Sequence, residues 1–444
     1  MYGFEIPDKW KWFVESKYGL FIHWGPYSQI GRGEQVMFRE HMDPVEYEKQ
    51  ACQWNPQSYD PREWARFAKD AGFKYACLTT RHHDGYCLWD TKYTDYSSVK
   101  QAPGRDFVRE FVDAFRAEGL RIGLYYSWLD WRIPAFFEGP EKNPEGYRLM
   151  VEYMHNQVEE LLSNYGQIDY FFFDGSWPRT AEELQSAKLV ARMRELQPNI
   201  LINNRLGSIL NKTNATDGGA GAGGSQTMGD FGTPEHEIVA EAHRLWESCQ
   251  VADWRLWGYT IGERWRNTDQ LLDILCNCVQ KGGNLIMNMG PDGEGRIPPE
   301  YQKRMLEIGE WLKIHGEALY GVEDYDLTEF ITRGYQTIVG NQLYLIIRFW
   351  DGRPQLRLAD LCSEVTEVTL LTTGEILPFQ QEGEVLHIFG LPQESPTDLF
   401  PVIRISCKGK PVTNQWGRER LWSGDPRRIS DWARQRGESF MANK

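Results

Sequence analysis

The feature that most constrains the fold is the alternation of short apolar runs with helical patterns. It extends over the first 320 or so residues. Runs of this kind are typical of strands that are covered on both faces of a parallel sheet. Six runs stand out: GLFIHW (19–24), KYACLTT (74–80), RIGLYYS (121–127), DYFFFD (169–174), ILINN (200–204) and NLIMNM (284–289).

Amphipathic segments with helical spacing lie between these runs, at 60–72, 106–120, 147–166, 182–198, 268–283 and 299–316. The β–α order predicts an α/β fold, a (β/α)₈-like TIM barrel over residues 1–324 whose sixth and seventh strands are weakly marked. A doubly wound sheet is the weaker alternative, because no glycine-rich phosphate turn follows the first strand.

The pattern changes after residue 324, where β-rich runs such as LYLIIRF, VTEVTLLTT and VIRIS follow one another without helical segments. This predicts a C-terminal antiparallel β-sandwich domain at 325–410. The remaining segment, 411–444, carries seven Lys and Arg against four Asp and Glu, together with three Trp. It is interpreted either as a tail packed along the barrel or as a contact with a second subunit in a homo-oligomer.

Net charge and apolar content limit the partners. A net charge of −14 disfavours nucleic acid and anionic lipid as main partners. No apolar run approaches the roughly 18 residues of a membrane span.

The N-terminus lacks a signal-peptide pattern, and the eight cysteines form no paired CxxC motifs. We therefore expect a cytoplasmic protein with reduced cysteines, a cleaved secretion signal being the alternative.

Polar residues that close the apolar runs are candidates for chemistry, because catalytic side chains of barrels lie at the C-terminal strand ends. Asp174 directly follows YFFF, and a buried acid without a partner is costly. It should reach the barrel mouth or meet a cation, or else cap the following helix. The other candidates of this kind are His23, His82, His83, Tyr126 and Arg205.

The histidines allow two interpretations. Adjacent histidines such as His82 and His83 are unusual for zinc, whereas a neutral imidazole can both donate to and accept from sugar hydroxyls. The sequence thus favours a sugar site without a metal or cofactor, and a metal-dependent hydrolase is the least favoured alternative. A retaining glycosidase also needs a second carboxylate about 5–5.5 Å from the first. The candidates that the residues alone leave open are Asp217, Asp230, Glu235, Glu237 and Glu247.

Several long segments in the same order resemble the α-L-fucosidases of glycoside hydrolase family 29, over roughly residues 10–410. They include KYGLFIHWGPYS (18–28), KYACLTTRHHDGYCLWD (74–90), IDYFFFDGSWP (168–178), INNRLG (202–207), GDFGTPEHEI (229–238), WGY (257–259) and KGGNLIMNMGPDGEGRIP (281–298). The resemblance implies a barrel with a C-terminal β-sandwich that removes terminal α-L-fucose with retention, through a covalent glycosyl-enzyme.

The resemblance also implies roles for individual residues. It makes Asp174 the nucleophile and Glu235 the acid/base. The implied sugar-binding residues are His23, Glu34, His82, His83, Tyr126 (with Tyr125 as its alternative), Arg205 and Trp257. The implied partner is a fucosylated oligosaccharide or glycoconjugate of unspecified linkage.

Two departures from the family pattern keep alternatives open. Many members have Glu-Trp after the first strand, whereas this chain has Glu34 followed by Gln35. A Gly-rich stretch lies at 211–226, so that Glu235 follows Asp174 by 61 residues. Asp217 and Asp230 therefore remain alternative candidates for the acid/base. The same chemistry on α-L-galactosides, and non-catalytic fucose binding, are the alternative functions.

Overall fold

A computed structural model describes residues 4–208, 228–241, 243–253, 256–262, 264–322, 333–359 and 361–412. The chain divides into two compact units, Tyr2–Lys313 and Ile314–Lys444. The predicted boundary between residues 324 and 325 lies outside the described residues, so the domain limits stay a prediction.

The first unit is built on an eight-stranded parallel sheet in the order β5-β4-β3-β2-β1-β8-β7-β6. Its strands are β1 (Tyr18–Ile22), β2 (Tyr75–Arg81), β3 (Arg121–Ser127), β4 (Tyr170–Asp174), β5 (Leu201–Ile202), β6 (Phe231–Gly232), β7 (Leu245–Val251) and β8 (Asn284–Met289). The two outer strands meet through a parallel bridge between Asn203 and Phe231. The Asp230 N–H also donates to the Ile202 carbonyl at 2.7 Å. The sheet therefore closes into the predicted TIM barrel.

Helices alternate with these strands, and several begin at the capping residues that the sequence offers. Asp60 accepts the Arg62 N–H before one helix, and Asp106 accepts the Arg109 N–H before the next. A 3₁₀ turn, Asp8–Trp10, precedes the first helix. The helices are α1 (Lys11–Ser16), α2 (Tyr27–Ile30), α3 (Val36–Arg39), α4 (Pro44–Gln53), α5 (Pro61–Asp70), α6 (Phe107–Ala117), α7 (Pro134–Lys142), α8 (Pro144–Asn164), α9 (Ser186–Leu196), α10 (Thr268–Gln280) and α11 (Pro299–His315).

Aromatic side chains from alternate strand positions fill the barrel lumen. Gly19 of β1 makes room for them, because a Cβ there would lie 2.2 Å from the Tyr75 ring. The lumen is a packed core, as in other barrels of this size. Its buried members are Phe13, Phe21, Tyr75, Cys77, Tyr125, Tyr170, Phe172, Leu201, Phe231, Leu245, Cys249 and Ile286.

One acid, Glu247 of β7, lies inside this lumen. Its carboxyl oxygens accept hydrogen bonds from the hydroxyls of Tyr75 and Tyr170, the latter at 2.5 Å. Burial raises the pKa of Glu247 to about 8, although the two hydroxyls act in the opposite direction. Glu247 is thus protonated near neutral pH. Its polarity also interrupts the apolar run, which explains why β7 was weakly marked in the sequence.

The second unit contains two antiparallel sheets, in the orders β13-β12-β16-β10-β9 and β11-β15-β14. Leu345 and Ile403 of the first sheet and Leu356 and Ile388 of the second belong to one buried apolar core. This confirms the predicted β-sandwich. Its strands are β9 (Gly334–Val339), β10 (Gln342–Ile347), β11 (Gln355–Leu358), β12 (Val365–Leu370), β13 (Glu375–Ile376), β14 (Phe379–Glu382), β15 (Val385–Phe389) and β16 (Val402–Cys407).

Several sequence features fall outside these elements. The Gly-rich stretch 211–226 and residues 413–444 lie outside the described part of the chain, so their predicted roles stay predictions. None of the described helices has the length and apolarity needed to cross a membrane. All eight cysteines are free, and six of them are buried.

We expect Glu247→Gln to flatten the pH dependence of stability. The pKa of Glu247 in the folded protein, about 8, exceeds the value of about 4.3 for an unfolded chain. The wild type should therefore lose stability as the pH rises between these two values, by up to about 1.4 kcal/mol per pH unit. Glutamine binds no such proton. In urea unfolding at several pH values, the free energy of unfolding of the variant relative to that of the wild type should increase towards pH 8.

An exposed helix glutamate provides the control for this experiment. Glu310, whose side chain is 71% exposed, should behave like the wild type after Glu310→Gln. Stability curves of the wild type and of Glu247→Gln that run parallel between about pH 5 and 8 would contradict the proposed proton uptake.

Candidate active site

The polar residues predicted to carry chemistry converge at the C-terminal ends of the barrel strands. His23 follows β1, His82 and His83 follow β2, Asp174 ends β4, Arg205 follows β5 and Glu235 follows β6. Because all eight strands are parallel, these ends open on one side of the barrel.

Asp174 is held as an ionised carboxylate. Its Oδ1 accepts a hydrogen bond from Arg205 Nη1 at 2.8 Å, and its Oδ2 accepts one from the Tyr125 hydroxyl at 2.9 Å. Burial alone would raise the pKa of Asp174, but the positive charge of Arg205 and these hydrogen bonds outweigh burial and leave the pKa below its usual value. The side chain remains 13% exposed, so a ligand can reach it.

The guanidinium of Arg205 also holds Glu235. Arg205 Nη2 lies 2.9 Å from Glu235 Oε2, while Nε donates to Thr233 Oγ1 at 3.0 Å and Nη2 to the Thr233 carbonyl at 3.1 Å. The Glu235 backbone is fixed by a parallel bridge to Cys249 of β7. One cation therefore joins the two carboxylates, and the Glu235 side chain, 24% exposed, is the more open of the pair.

The other acids that sequence reasoning left open do not share this position. Asp230 accepts two hydrogen bonds from Arg194, at 2.6 and 2.8 Å, and a third from the Ile202 N–H. Glu247 lies in the lumen between tyrosines. Glu237 is exposed to solvent, and Asp217 is outside the described residues. Among the described candidates, only Glu235 is paired with Asp174 through a shared cation.

The three histidines lie together beside Asp174. The His82 and His83 rings are 4.1 Å apart, the His23 and His82 rings 5.6 Å, and His83 Nε2 is 3.8 Å from Asp174 Oδ2. Burial lowers the pKa of all three, to about 3 for His23 and about 4 for His83. They are therefore neutral at neutral pH. Within the described ranges, no group of three or more His, Cys, Asp or Glu side chains could hold a metal ion.

Tyr125, rather than the predicted Tyr126, faces the site. Alternate residues of a strand point to opposite faces. Tyr125 belongs to the lumen side and reaches Asp174, whereas the Tyr126 hydroxyl is bound between Arg81 and Gln157 of α8. The structure thus places Tyr125, the stated alternative, at the site in place of Tyr126, and contact of Tyr125 with a sugar stays a prediction.

Glu34 fixes the segment that carries Trp257. Its buried Oε2 accepts the backbone N–H groups of Trp257 at 3.1 Å and Gly258 at 2.8 Å. The Trp257 ring lies 5.1 Å from the His23 ring and 5.0 Å from the His236 ring, and so forms an aromatic wall. Direct contact of Glu34 with a sugar hydroxyl stays a prediction.

Sequence reasoning missed three polar residues of the site. Ser127, the last residue of β3, contacts His83; Asn288 of β8 contacts His23; and Thr233 contacts Arg205. The first two are polar residues within otherwise apolar runs, which is the signal that identified Asp174. Their partners lie on other strands, so the sequence pattern did not reveal what they bind.

The site as a whole suits chemistry on a neutral polyhydroxylated ring. An ionised and partly shielded carboxylate can attack carbon, and a second, more exposed carboxyl group can exchange protons with a leaving group or water. Neutral imidazoles can bind hydroxyl groups, and an indole ring can pack against an apolar part of the ligand.

Comparisons with known proteins agree with this chemistry. A family model described as alpha-L-fucosidase matches residues 7–317. The alpha-L-fucosidase of Branchiostoma floridae is 28% identical over 389 residues, which cover 81% of this chain and 84% of the relative. The solved structure of alpha-L-fucosidase isoenzyme 1 from Paenibacillus thiaminolyticus is 36% identical, with a TM-score of 0.80, and covers 90% of this chain and 99% of that chain.

A further solved structure shows a covalent intermediate. It is a family 29 α-L-fucosidase from Bacteroides thetaiotaomicron, trapped with 2-fluoro-fucosyl fluoride. It is 27% identical to this chain, with a TM-score of 0.81, and covers 90% of this chain and 96% of that chain. The family model matches well over half of the residues of this chain. The chain therefore belongs to the α-L-fucosidases of glycoside hydrolase family 29.

Proposed function

We propose that this α-L-fucosidase hydrolyses terminal α-L-fucosyl linkages of oligosaccharides or glycoconjugates by double displacement, with Asp174 as nucleophile and Glu235 as acid/base. The observation that carries the proposal is the bridge from Arg205 to both carboxylates, at 2.8 and 2.9 Å. Contacts with one guanidinium hold the two carboxylates close to each other, and retention requires a close pair, about 5–5.5 Å apart.

In the first step, an oxygen of Asp174 attacks C1 of the bound fucose. The bond from C1 to the aglycone oxygen breaks, and this oxygen takes the proton of Glu235. Arg205 and Tyr125 keep Asp174 ionised and oriented before the attack. The products of this step are a fucosyl ester of Asp174 and the free aglycone.

In the second step, Glu235 removes a proton from a water molecule, whose oxygen attacks C1. The ester bond breaks and Asp174 leaves as a carboxylate, which Arg205 and Tyr125 again stabilise. Two inversions at C1 give net retention, so α-L-fucose is released first.

A panel of α1,2-, α1,3-, α1,4- and α1,6-linked fucosyl oligosaccharides, followed by NMR, tests this function. We expect at least one linkage to be cleaved, with the α anomer of fucose appearing before mutarotation. Initial release of the β anomer would contradict double displacement. An aryl α-L-galactoside measured in parallel reports how well the site rejects a hydroxyl at C6.

We expect Asp174→Ala to lose turnover of aryl α-L-fucosides almost completely, by more than about 10³-fold, because alanine cannot form the glycosyl ester. Circular dichroism should show an intact fold. Asp113→Asn, at an exposed position of α6, is the control and should retain wild-type rates. Substantial turnover by Asp174→Ala would assign the nucleophile elsewhere.

Glu235→Ala should reduce hydrolysis of natural linkages by about 10²–10⁴-fold, since it removes the acid/base group. For an aryl fucoside with a good leaving group, added azide should restore part of the rate and produce a fucosyl azide. Asp217→Ala and Asp230→Ala test the two alternative candidates for the acid/base in the same assay. Azide rescue of either of these, in place of Glu235→Ala, would transfer the acid/base role.

Arg205→Gln should move the acidic limb of the kcat/KM profile to higher pH. Arg205 lowers the pKa of Asp174, so its removal raises that pKa, by about 1–3 units for a close pair. The nucleophile must be ionised, and activity therefore declines at a higher pH than in the wild type. Arg192→Gln, which removes an exposed surface ion pair, should leave the limb unchanged. An unchanged limb in Arg205→Gln would show that Arg205 does not control Asp174.

A further inference from the structure

His23 and His83 are each hydrogen-bonded through Nδ1 to a polar side chain that also contacts a backbone carbonyl. A neutral imidazole carries one proton, and the partner of one nitrogen decides which nitrogen bears it. Because a carbonyl can only accept, it determines the direction of the whole chain of hydrogen bonds.

For His83, the series of hydrogen bonds runs through Ser127. The Ser127 hydroxyl lies 2.6 Å from the Leu129 carbonyl and 2.7 Å from His83 Nδ1. Its single proton is donated to the carbonyl, so its oxygen must accept from His83. The proton of the neutral His83 ring therefore resides on Nδ1, and Nε2 carries a lone pair.

For His23, the series of hydrogen bonds runs through Asn288. Asn288 Nδ2 donates to the Trp257 carbonyl at 2.6 Å, which fixes the orientation of the amide. Oδ1 is then the atom that lies 2.7 Å from His23 Nδ1, and it can only accept. The proton of His23 is therefore also on Nδ1, and its Nε2 carries a lone pair.

We infer that Ser127 and Asn288 are positioning residues that fix His83 and His23 in the Nδ1–H tautomer, so that both Nε2 atoms accept hydrogen bonds from hydroxyl donors of the sugar. The identity of the ligand as a sugar rests on the proposed function, whereas the tautomers follow from the protein alone. Both rings are buried, which keeps them neutral.

The tautomers restrict the chemistry of the ligand. His83 Nε2 lies 3.8 Å from Asp174 Oδ2, so a lone pair and a carboxylate stand next to each other. A group placed against them is favoured when it donates a proton, as a hydroxyl does. An ether, a fluorine or a carboxylate at the same position only accepts, and is therefore disfavoured.

The tautomers can be measured directly in the full-length protein. With ¹⁵N-labelled histidine, long-range ¹H–¹⁵N correlation spectra at pH 7 distinguish protonated from unprotonated ring nitrogens, and His23→Gln and His83→Gln assign the signals among the nine histidines. We expect a protonated Nδ1 and an unprotonated Nε2 in both rings. A protonated Nε2 in either ring would overturn the inference. This readout does not depend on fucosidase activity.

Ser127→Ala tests the role of the hydroxyl, with Ser127→Thr as the conservative variant that keeps it. Ser127→Ala should give a mixture of tautomers at His83 while His23 stays unchanged in the same spectrum, and kcat/KM should fall about 10-fold. Ser127→Thr should restore the single tautomer. A pure Nδ1–H signal together with the wild-type rate in Ser127→Ala would remove Ser127 from this role.

Substrate analogues test the need for donors. L-Fucose derivatives in which one hydroxyl is replaced by hydrogen or by fluorine are compared as competitive inhibitors. At two ring positions, both replacements should weaken inhibition by a similar factor, about 10-fold or more, because fluorine cannot donate. Recovery of binding by fluorine at every position would contradict the inference.

Discussion

The double contact of Arg205 with Asp174 and Glu235 is the interaction on which the rest of the site depends. Two carboxylates in a partly buried pocket repel each other, and burial of Asp174 acts to raise its pKa. A guanidinium offers a rigid set of donors that can serve two acceptors at once. Thr233 accepts the remaining contacts and thereby fixes the plane of the guanidinium.

Arg205 also spans the place where the barrel closes. Strands β5 and β6 have only two residues each, so few backbone hydrogen bonds join them. Side chains supplement this ladder: Asp230 Oδ2 accepts the Ile202 N–H at 2.8 Å, and Thr233 Oγ1 donates to Asn204 Oδ1 at 3.1 Å. The two carboxylates come from opposite sides of this closure. Its geometry therefore determines their separation.

The sequence revealed the barrel because fully buried strands and amphipathic helices differ in period. It revealed Asp174 because an acid after four apolar residues needs a special environment. It did not mark β6, which is too short, or β7, in which Glu247 occupies a lumen position. Glu235 could be chosen only through the family resemblance, since no local pattern distinguishes it from other acids.

The choice between Tyr126 and Tyr125 could not be made from the sequence for a related reason. A sequence shows that alternate residues of β3 face opposite sides, but only the pairing with neighbouring strands shows which set faces the lumen. Here Tyr125 pairs with Phe172, a lumen residue, and Tyr126 pairs with Phe173. The contacts of Ser127 and Asn288 depend in the same way on residues far away in the chain.

The short closure between β5 and β6 has a consequence for how such enzymes diversify. Residues 203–230 connect these strands, with Arg205 near one end and Glu235 just beyond the other. The entropic cost of joining two chain segments by a loop grows only by about 0.6 kcal/mol for each doubling of the loop length. Insertions between the two anchors are therefore inexpensive, while the nucleophile on β4 is untouched. The length of the chain between β5 and β6 can thus vary among related enzymes while Asp174 and Tyr125, on the neighbouring strands, keep their positions.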